Sequence, residues 1–535
     1  MKKLTEKKSL FSILYTILIF IFLLIVFFLN FSKNPYFYNG DMYADLDLAK
    51  EIWGSKSLFP PGWVFGNQVY IVATPVIAAL FYGIFKDVLL AMAIASSLMT
   101  VLIIIVYNWM IKPYSSYLAR QGGLIAMVTF VALFGHVLVV RSSWQLLFTM
   151  CSYYSCYLVT AMLCFGLYVR AVDNQKGKSR FFILPIACLL SFATGIQSLR
   201  QTLIMTIPLI VAEAIYVVFN IIKKKKINRQ TLITTCLISV SNFAGVIFEK
   251  YIDYQKESIY GEFNLINTFD IRQIISETLT LLITCLNLGN NLVDYGKIII
   301  PAIAVIGIVC ALSIYIYLKG RKENSNAKAL FIIIGISLIG LGGIVFLLLF
   351  SEMIIRDVYF FMIDLVVALL ITNIIDSNKK KIRTSSIIII SILFAIVIPL
   401  RIVPTVKEIN SKERVAVYCE AADLIEKNNC DSVIADWYIV GRIGAASDGK
   451  LRAGIHGYSD GEWEVATHIC NLNVIKNPQK AMGVIWETEL PVLLESAKEK
   501  KVDIEIIART KAIATDYHAK EHLIVFKMSG PYWDN

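Results

Sequence analysis

Apolar runs of roughly twenty residues, broken by short clusters of lysine and arginine, recur from residue 9 to residue 403 and then stop. A helix rises ~1.5 Å per residue, so a run of this length is what crosses ~30 Å of hydrocarbon. Residues 404–535 follow a different pattern, in which charged helical stretches alternate with short apolar strands. Helix is predicted over "SKERVAVYCEAADLIEKNN", "YIVGRIGAAS" and "LPVLLESAKEKK". Strands are predicted at "SVIAD", near "LRAGI", in "AMGVIWET", and at "DIEIIA" and "HLIVFKM". Such alternation is that of a small α/β domain with its sheet covered by helices. The chain therefore divides into an α-helical polytopic membrane domain, 1–403, and a C-terminal α/β domain, 404–535.

Lysine and arginine flank the cytoplasmic ends of spans, so the clusters orient the chain. "MKKLTEKK", "KPYSSYLAR", "DNQKGKSR", "KKKKINR", "KGRKENSNAK" and "DSNKKKIR" are expected inside. That arrangement needs eleven crossings, near 10–31, 88–111, 122–141, 146–171, 181–197, 202–222, 231–248, 298–318, 329–350, 357–375 and 384–403. It holds only if 68–86 dips into the outer leaflet without crossing, and 271–289 is read the same way. A crossing at 68–86, giving twelve or thirteen spans, would turn the four lysines 223–226 outward. The outer loops 32–87 and 249–297 and the C-terminal domain then share one extracytoplasmic face. The first run is too long for a signal peptide and lacks a small-residue cleavage site, so it reads as an uncleaved span of a multi-pass plasma-membrane protein.

Composition narrows the function classes. With 57% hydrophobic and 17% charged residues and a mean hydropathy of +0.65, the chain lies outside the range of soluble domains. The net charge of +11 sits in topology clusters and not on one face of a domain, which argues against nucleic acid as a partner. Ten cysteines, most inside apolar runs, show no metal-ligand spacing; Cys419, Cys430 and Cys470 permit one disulfide and require none. No cofactor is specified, and a divalent metal is compatible with the sequence without being required by it.

Candidate chemistry begins at "NGDMYADLDLAKEIW", which carries Asp41, Asp45 and Asp47. Tyr43, Leu46, Ala49 and Ile52 fall at helical spacing, with Asp41 and Asp45 one turn apart on another face. Asn39-Gly40 is a turn signal, and Asp41 suits the N-cap of this helix; cap and site residue are both open readings. Arg141, Arg200 and Arg356 stand at expected outer helix ends, where an arginine either snorkels to lipid headgroups or grips a phosphate bidentately. Arg200 lies in a tight turn with Gln197 and Gln201. Glu213 and Asp364 lie within apolar runs, where an acid faces a bundle interior or cavity, and Asp364 is two turns beyond Arg356. His136 reads as a packing residue, and the aromatic residues of 249–297 as interfacial anchors or sugar-stacking rings. Asp436 and Trp437 follow a strand at its carboxyl end, where open α/β sheets bind ligands; a structural lid is the other reading.

A first span, then an outer loop with Asp41 heading a helix that ends "LAKEI", then Pro60-Pro61 and an aromatic-rich segment, resembles the GT-C superfamily of lipid-phosphate-dependent glycosyltransferases. Protein O-mannosyltransferases and the aminoarabinose transferase of lipid A are members. The family pattern is Asp followed by a second acid, with Ala-Arg/Lys-Glu-Met/Ile eight residues on; Asp41 and Ala49-Lys50-Glu51-Ile52 stand in those positions. Met42 departs from the second acid, so Asp45 or Asp47 is left to supply a nearby charge. "VVRSSWQ", with Arg141, and "IIRDVYFFMIDLVVALL", with Arg356 and Tyr359, are similar to further family segments. The resemblance implies an outer site, a sugar donor carried on polyprenyl phosphate, and a glycan, lipid or protein acceptor in a bacterial cell envelope. Asp41 would be the base, Arg200, Arg356 and Arg141 the donor-phosphate ligands, and Asp45, Asp47, Tyr359 and Asp364 supporting groups. Two other classes stay open on the sequence: a transporter or flippase of lipid-linked glycans, and a non-enzymatic assembly factor.

Overall fold

The computed structural model describes residues 10–66, 68–134, 147–149, 154–173, 180–256, 312, 314–319, 327–349, 360–377, 380–459, 462–466, 469–476, 478–515 and 520–529. Helix α1 (Leu10–Phe31) is followed by α2 (Gly40–Ser55), whose residues 42–49 are buried on every side, the short α3 (Thr74–Phe85) and α4 (Val88–Ile111). Among the described residues, six helices are long and apolar enough to cross a membrane: Leu10–Phe31, Val88–Ile111, Ser155–Asp173, Leu199–Ile222, Arg229–Glu249 and Lys380–Lys407. Apolar helices also stand at Tyr117–Phe134, Arg180–Gln197, Ala327–Leu349 and Met362–Ile375, where crossings are expected from the sequence. The expected crossing 298–318 lies almost wholly outside the described residues, as does 271–289. Within 68–86 only the 12 residues of α3 are helical, a rise of about 18 Å that falls short of a bilayer core.

Two helices beside the turn that bears Arg200 are locked together backbone to backbone. Arg180–Gln197 and Arg229–Glu249 meet at glycines: a Cβ on Gly195 would lie 2.1 Å from the Asn242 carbonyl oxygen, and one on Gly245 2.1 Å from that of Phe192. Small residues permit this approach, and interhelical hydrogen bonds complete it. Asn242 Nδ2 donates to the Ser191 carbonyl at 2.9 Å, and Thr202 Oγ1 donates to Asn242 Oδ1 at 2.7 Å. The turn bearing Arg200 thus emerges from a rigid pair.

The C-terminal part builds a six-stranded mixed sheet whose neighbouring strands are, in order, 462–466, 452–459, 432–436, 481–486, 523–529 and 503–509. Its strands are β3 (Ser432–Asp436), β4 (Arg452–Ser459), β5 (Glu462–Ala466), β7 (Ala481–Trp486), β8 (Asp503–Arg509) and β11 (Leu523–Ser529). Strand β3 runs parallel to β4 and β7, and β5, β8 and β11 pair antiparallel with their neighbours. A two-rung hairpin, β9 (Ala514–Thr515) and β10 (Lys520–Glu521), lies apart from it. Cys419, Cys430 and Cys470 are not joined to one another by a disulfide.

A second sheet stitches distant parts of the chain together. Strand β1 (Trp63–Phe65) pairs parallel with β2 (Gln255–Lys256) and antiparallel with β6 (Cys470–Asn471). Tyr254 packs its ring 5.5 Å from both Phe59 and Phe65, which makes it an internal packing residue of this junction. The helix Val440–Ala446 lies directly on α2, and a Cβ on Gly441 would come 2.2 Å from the Asn39 carbonyl oxygen. The loop 32–87 and the C-terminal sheet therefore form one packed unit.

Candidate active site

Helix α2 sets the carboxylates. Asn39 caps it: its backbone is extended and its side-chain oxygen accepts from the Met42 N–H at 2.9 Å. The expectation that Asp41 is the N-cap is thereby corrected, because the amide two residues earlier already satisfies the first turn. Asp41 is half-buried in that turn, and its Oδ1 accepts from the indole Nε1 of Trp437 at 2.8 Å. Tyr43, Leu46, Ala49 and Ile52 are buried, as their spacing predicts.

The other two carboxylates separate in role. Asp47 Oδ2 accepts from the Ala453 N–H at 2.8 Å, and Oδ1 pairs with Lys50 at 2.5 Å, so this residue ties α2 to the C-terminal sheet. Asp45 is 1% exposed, and neither of its oxygens has a hydrogen-bond partner among the described residues. Burial pushes its pKa well above the ordinary carboxylate range; the nearby Tyr70 hydroxyl opposes this and the Asp41 charge adds to it. A buried acid without a partner is costly, and such groups collect where chemistry is done.

Arg200 stands in the turn after Arg180–Gln197. Its N–H is capped by Ser198 Oγ at 3.2 Å, and its guanidinium donates to the Tyr154 hydroxyl at 3.0 Å while lying 5.2 and 5.5 Å from the rings of Tyr154 and Tyr157. Its guanidinium thus rests on the tyrosines at the start of the helix Ser155–Asp173. Gln197 joins the turn to the segment before α3: its Oε1 accepts from the Val72 N–H at 2.8 Å, and the Val69 N–H donates to its carbonyl at 3.0 Å. Gln201 is fully buried, with neither end of its amide hydrogen-bonded among the described residues.

Phe361 packs 6.1 Å from Tyr154 and 6.5 Å from Tyr157, which brings the start of Met362–Ile375, with buried Asp364 in its first turn, against the aromatic shelf under Arg200. Arg141, Arg356, Tyr359 and His136 lie outside the described residues, and with them the expected pairing of Asp364 with Arg356. Glu213 belongs elsewhere, since it accepts from the hydroxyls of Tyr168 at 3.5 Å and Tyr317 at 3.4 Å between helices.

In the sheet domain, Asp436 Oδ1 accepts from the N–H groups of Tyr438 at 2.5 Å and Ile439 at 3.0 Å, closing the turn after β3. Burial raises its pKa, while those two N–H groups pull it down. The neighbour Trp437 reaches Asp41, which sequence reasoning missed. Tyr154 and Tyr157 were missed as well; their one signal is the tyrosine-rich "SYYSCY" at a span end, which reads equally as an interfacial belt. Among the described residues no three His, Cys, Asp or Glu side chains gather around a point where a metal ion could be held.

No family model matches the sequence, and no curated protein matches it. Among solved structures, ArnT from Cupriavidus metallidurans bound to undecaprenyl phosphate aligns over 96% of this chain and 98% of its own, at 11% identity and a TM-score of 0.49. The apo state of ArnT aligns over 96% and 97%, at 10% identity and a TM-score of 0.40. The Archaeoglobus fulgidus oligosaccharyltransferase in complex with Zn and sulfate aligns over 88% of this chain and 68% of its own, at 12% identity and a TM-score of 0.41.

Proposed function

We propose that the chain is an integral membrane glycosyltransferase that moves a sugar from a polyprenyl-phosphate carrier to a hydroxyl of a cell-envelope glycan, glycolipid or protein on the extracytoplasmic face. The observations that support this reading are a half-buried Asp41 held by Trp437 at the head of α2, the buried Asp45 one turn on, and an arginine, Arg200, seated on a tyrosine shelf. A sugar on a lipid phosphate has an electrophilic anomeric carbon and an anionic leaving group. Transfer to a hydroxyl asks for a base at the nucleophile and fixed positive charge at the departing phosphate.

Asp41 is the base: one oxygen is held by Trp437, and the other makes no hydrogen bond among the described residues. It takes the proton of the acceptor hydroxyl as that oxygen bonds to the anomeric carbon. The carbon–oxygen bond to phosphate breaks in the same displacement, and the configuration inverts. A positioned base typically contributes about 10²- to 10⁴-fold. Arg200 receives the phosphate, since a guanidinium keeps its charge and offers two parallel donors; Arg356 and Arg141 are the further phosphate ligands, with Tyr359 and Asp364 supporting them. No cytosolic nucleotide sugar reaches an outer site, which is why the donor arrives embedded in the membrane.

The test is turnover by purified protein in lipid, with undecaprenyl-phosphate-linked sugars as donors and envelope fractions as acceptors. The reading expects release of undecaprenyl phosphate with label passing to the acceptor, and loss of both in Asp41→Asn. A transporter or flippase would move the donor without breaking its phosphate–sugar bond, and a scaffold would do neither.

A further inference from the structure

The sheet domain touches the proposed base, which assigns it a part in the chemistry. Trp437 and the head of α2 hold each other by two hydrogen bonds in opposite directions. The Gly40 N–H donates to the Trp437 carbonyl at 2.7 Å, and the Trp437 indole donates to Asp41 Oδ1 at 2.8 Å. The fit is close enough to require glycine, since a Cβ on Gly40 would lie 2.9 Å from Trp437 Cδ1. The indole is fixed from behind: Asp436 closes the turn that carries it, Tyr438 packs edge-on at 5.0 Å and 87°, and Gly441 seats the next helix against Asn39.

A carboxylate at a helix head turns about its terminal torsion and presents either oxygen. With Asn39 already satisfying the first turn, nothing in α2 itself chooses between them. The indole does. We infer that Trp437 is a positioning residue for the proposed transfer, holding one oxygen of Asp41 so that the other faces the acceptor hydroxyl, and that the C-terminal domain thereby completes the catalytic site. The inference rests on the reading of Asp41 as the base and gives the C-terminal domain a role that reading leaves unassigned.

The test is steady-state transfer by the full-length protein with an undecaprenyl-phosphate-linked sugar as donor, comparing Trp437→Phe, Trp437→His and Asp41→Asn. Phenylalanine keeps a ring and the backbone bond to Gly40 but loses the donor; histidine restores a ring N–H. Misplacing a reacting group costs about 10- to 100-fold. The expected result is a kcat lower by that factor in Trp437→Phe, an unchanged donor KM, and recovery of most of the loss in Trp437→His. A merely structural role would lower the amount of folded enzyme in both variants and leave kcat per folded molecule alone, which overturns the inference. A kcat that falls equally in both variants also overturns it. Should phenylalanine prevent folding, benzothienylalanine placed at 437 keeps the bicyclic shape and deletes only the N–H; wild-type kcat there refutes the positioning role. Asp41→Asn separates the levels: if it turns over normally, the base assignment itself fails, whereas loss in Asp41→Asn with normal Trp437→Phe refutes this inference alone.

Discussion

Replacing Asp45 by Asn removes an ionisable group from the site at nearly constant shape, and the structure predicts a gain in stability. The carboxyl is 1% exposed, unpartnered among the described residues, and one turn from Asp41. In the unfolded chain it ionises near its reference value of about 3.9. In the fold its pKa lies well above that, chiefly through burial. Between the two values the unfolded chain has lost the proton and the folded one keeps it, so stability declines as pH rises from about 4. Three pH units at ~1.36 kcal/mol each cap the cost at about 4 kcal/mol by pH 7, and local relaxation brings it to about 1–3 kcal/mol. Asp45→Asn should therefore unfold at a temperature about 2–5 °C higher at pH 7, with the difference disappearing near pH 4. Thermal unfolding of the purified protein in detergent, followed by tryptophan fluorescence, measures both. A lower melting temperature at pH 7, or a difference that ignores pH, would show that Asp45 is ionised and paired, and the reasoning would be wrong. The added stability should come with slower transfer, as expected where a fold keeps a costly group at its active site.

Three further outcomes follow from other parts of the molecule. His456 is buried with Nε2 3.2 Å from the Val484 carbonyl, and burial holds its pKa down to about 4; its contribution is complete above about 6.5 and is lost as pH falls through that window toward 4, on the order of 3 kcal/mol, so His456→Gln should flatten the acid side of the stability curve. Gly245→Ala drives a methyl group to 2.1 Å from the Phe192 carbonyl and should cost about 1–3 kcal/mol in the same unfolding assay; an unchanged melting temperature would contradict the close helix pair. For topology, a cysteine at exposed Ser55 should react with an impermeant maleimide on intact cells, and one at exposed Lys224 only after permeabilisation; the reverse pattern would put the site on the cytoplasmic side.

Much of the layout is legible because two periodicities carry it. Long apolar runs can only be helices in hydrocarbon, and the 3.6-residue phase of Tyr43, Leu46, Ala49 and Ile52 exposes the buried face of α2 without any tertiary information. The strands at 432–436, 481–486, 503–509 and 523–529 are equally visible as short apolar runs between charged segments. What stays hidden is pairing across distance. Strand β1 has three residues and finds its partners near residues 255 and 470, too short a signal to read locally. Asp41 and Trp437 are 396 positions apart, and nothing near either one announces the other. At the α2 cap, Asn39 and Asp41 are both good capping types two positions apart, and only the extended backbone at Asn39 decides between them. Asp45 is hidden too: the helical phase puts it with Asp41 on a face away from Tyr43, Leu46, Ala49 and Ile52, whereas in the fold every residue from Met42 to Ala49 is buried, because α2 is covered by the C-terminal part as well.

The most direct measurement is the fate of labelled sugar on undecaprenyl phosphate when purified wild-type protein and its Asp41→Asn variant, matched for folding, are given the same acceptor. The wild type should transfer the label and free the lipid phosphate, while the variant binds the donor and transfers at least about a hundredfold more slowly. Equal transfer by the two would remove Asp41 from the reaction, and with it the mechanism derived from this site.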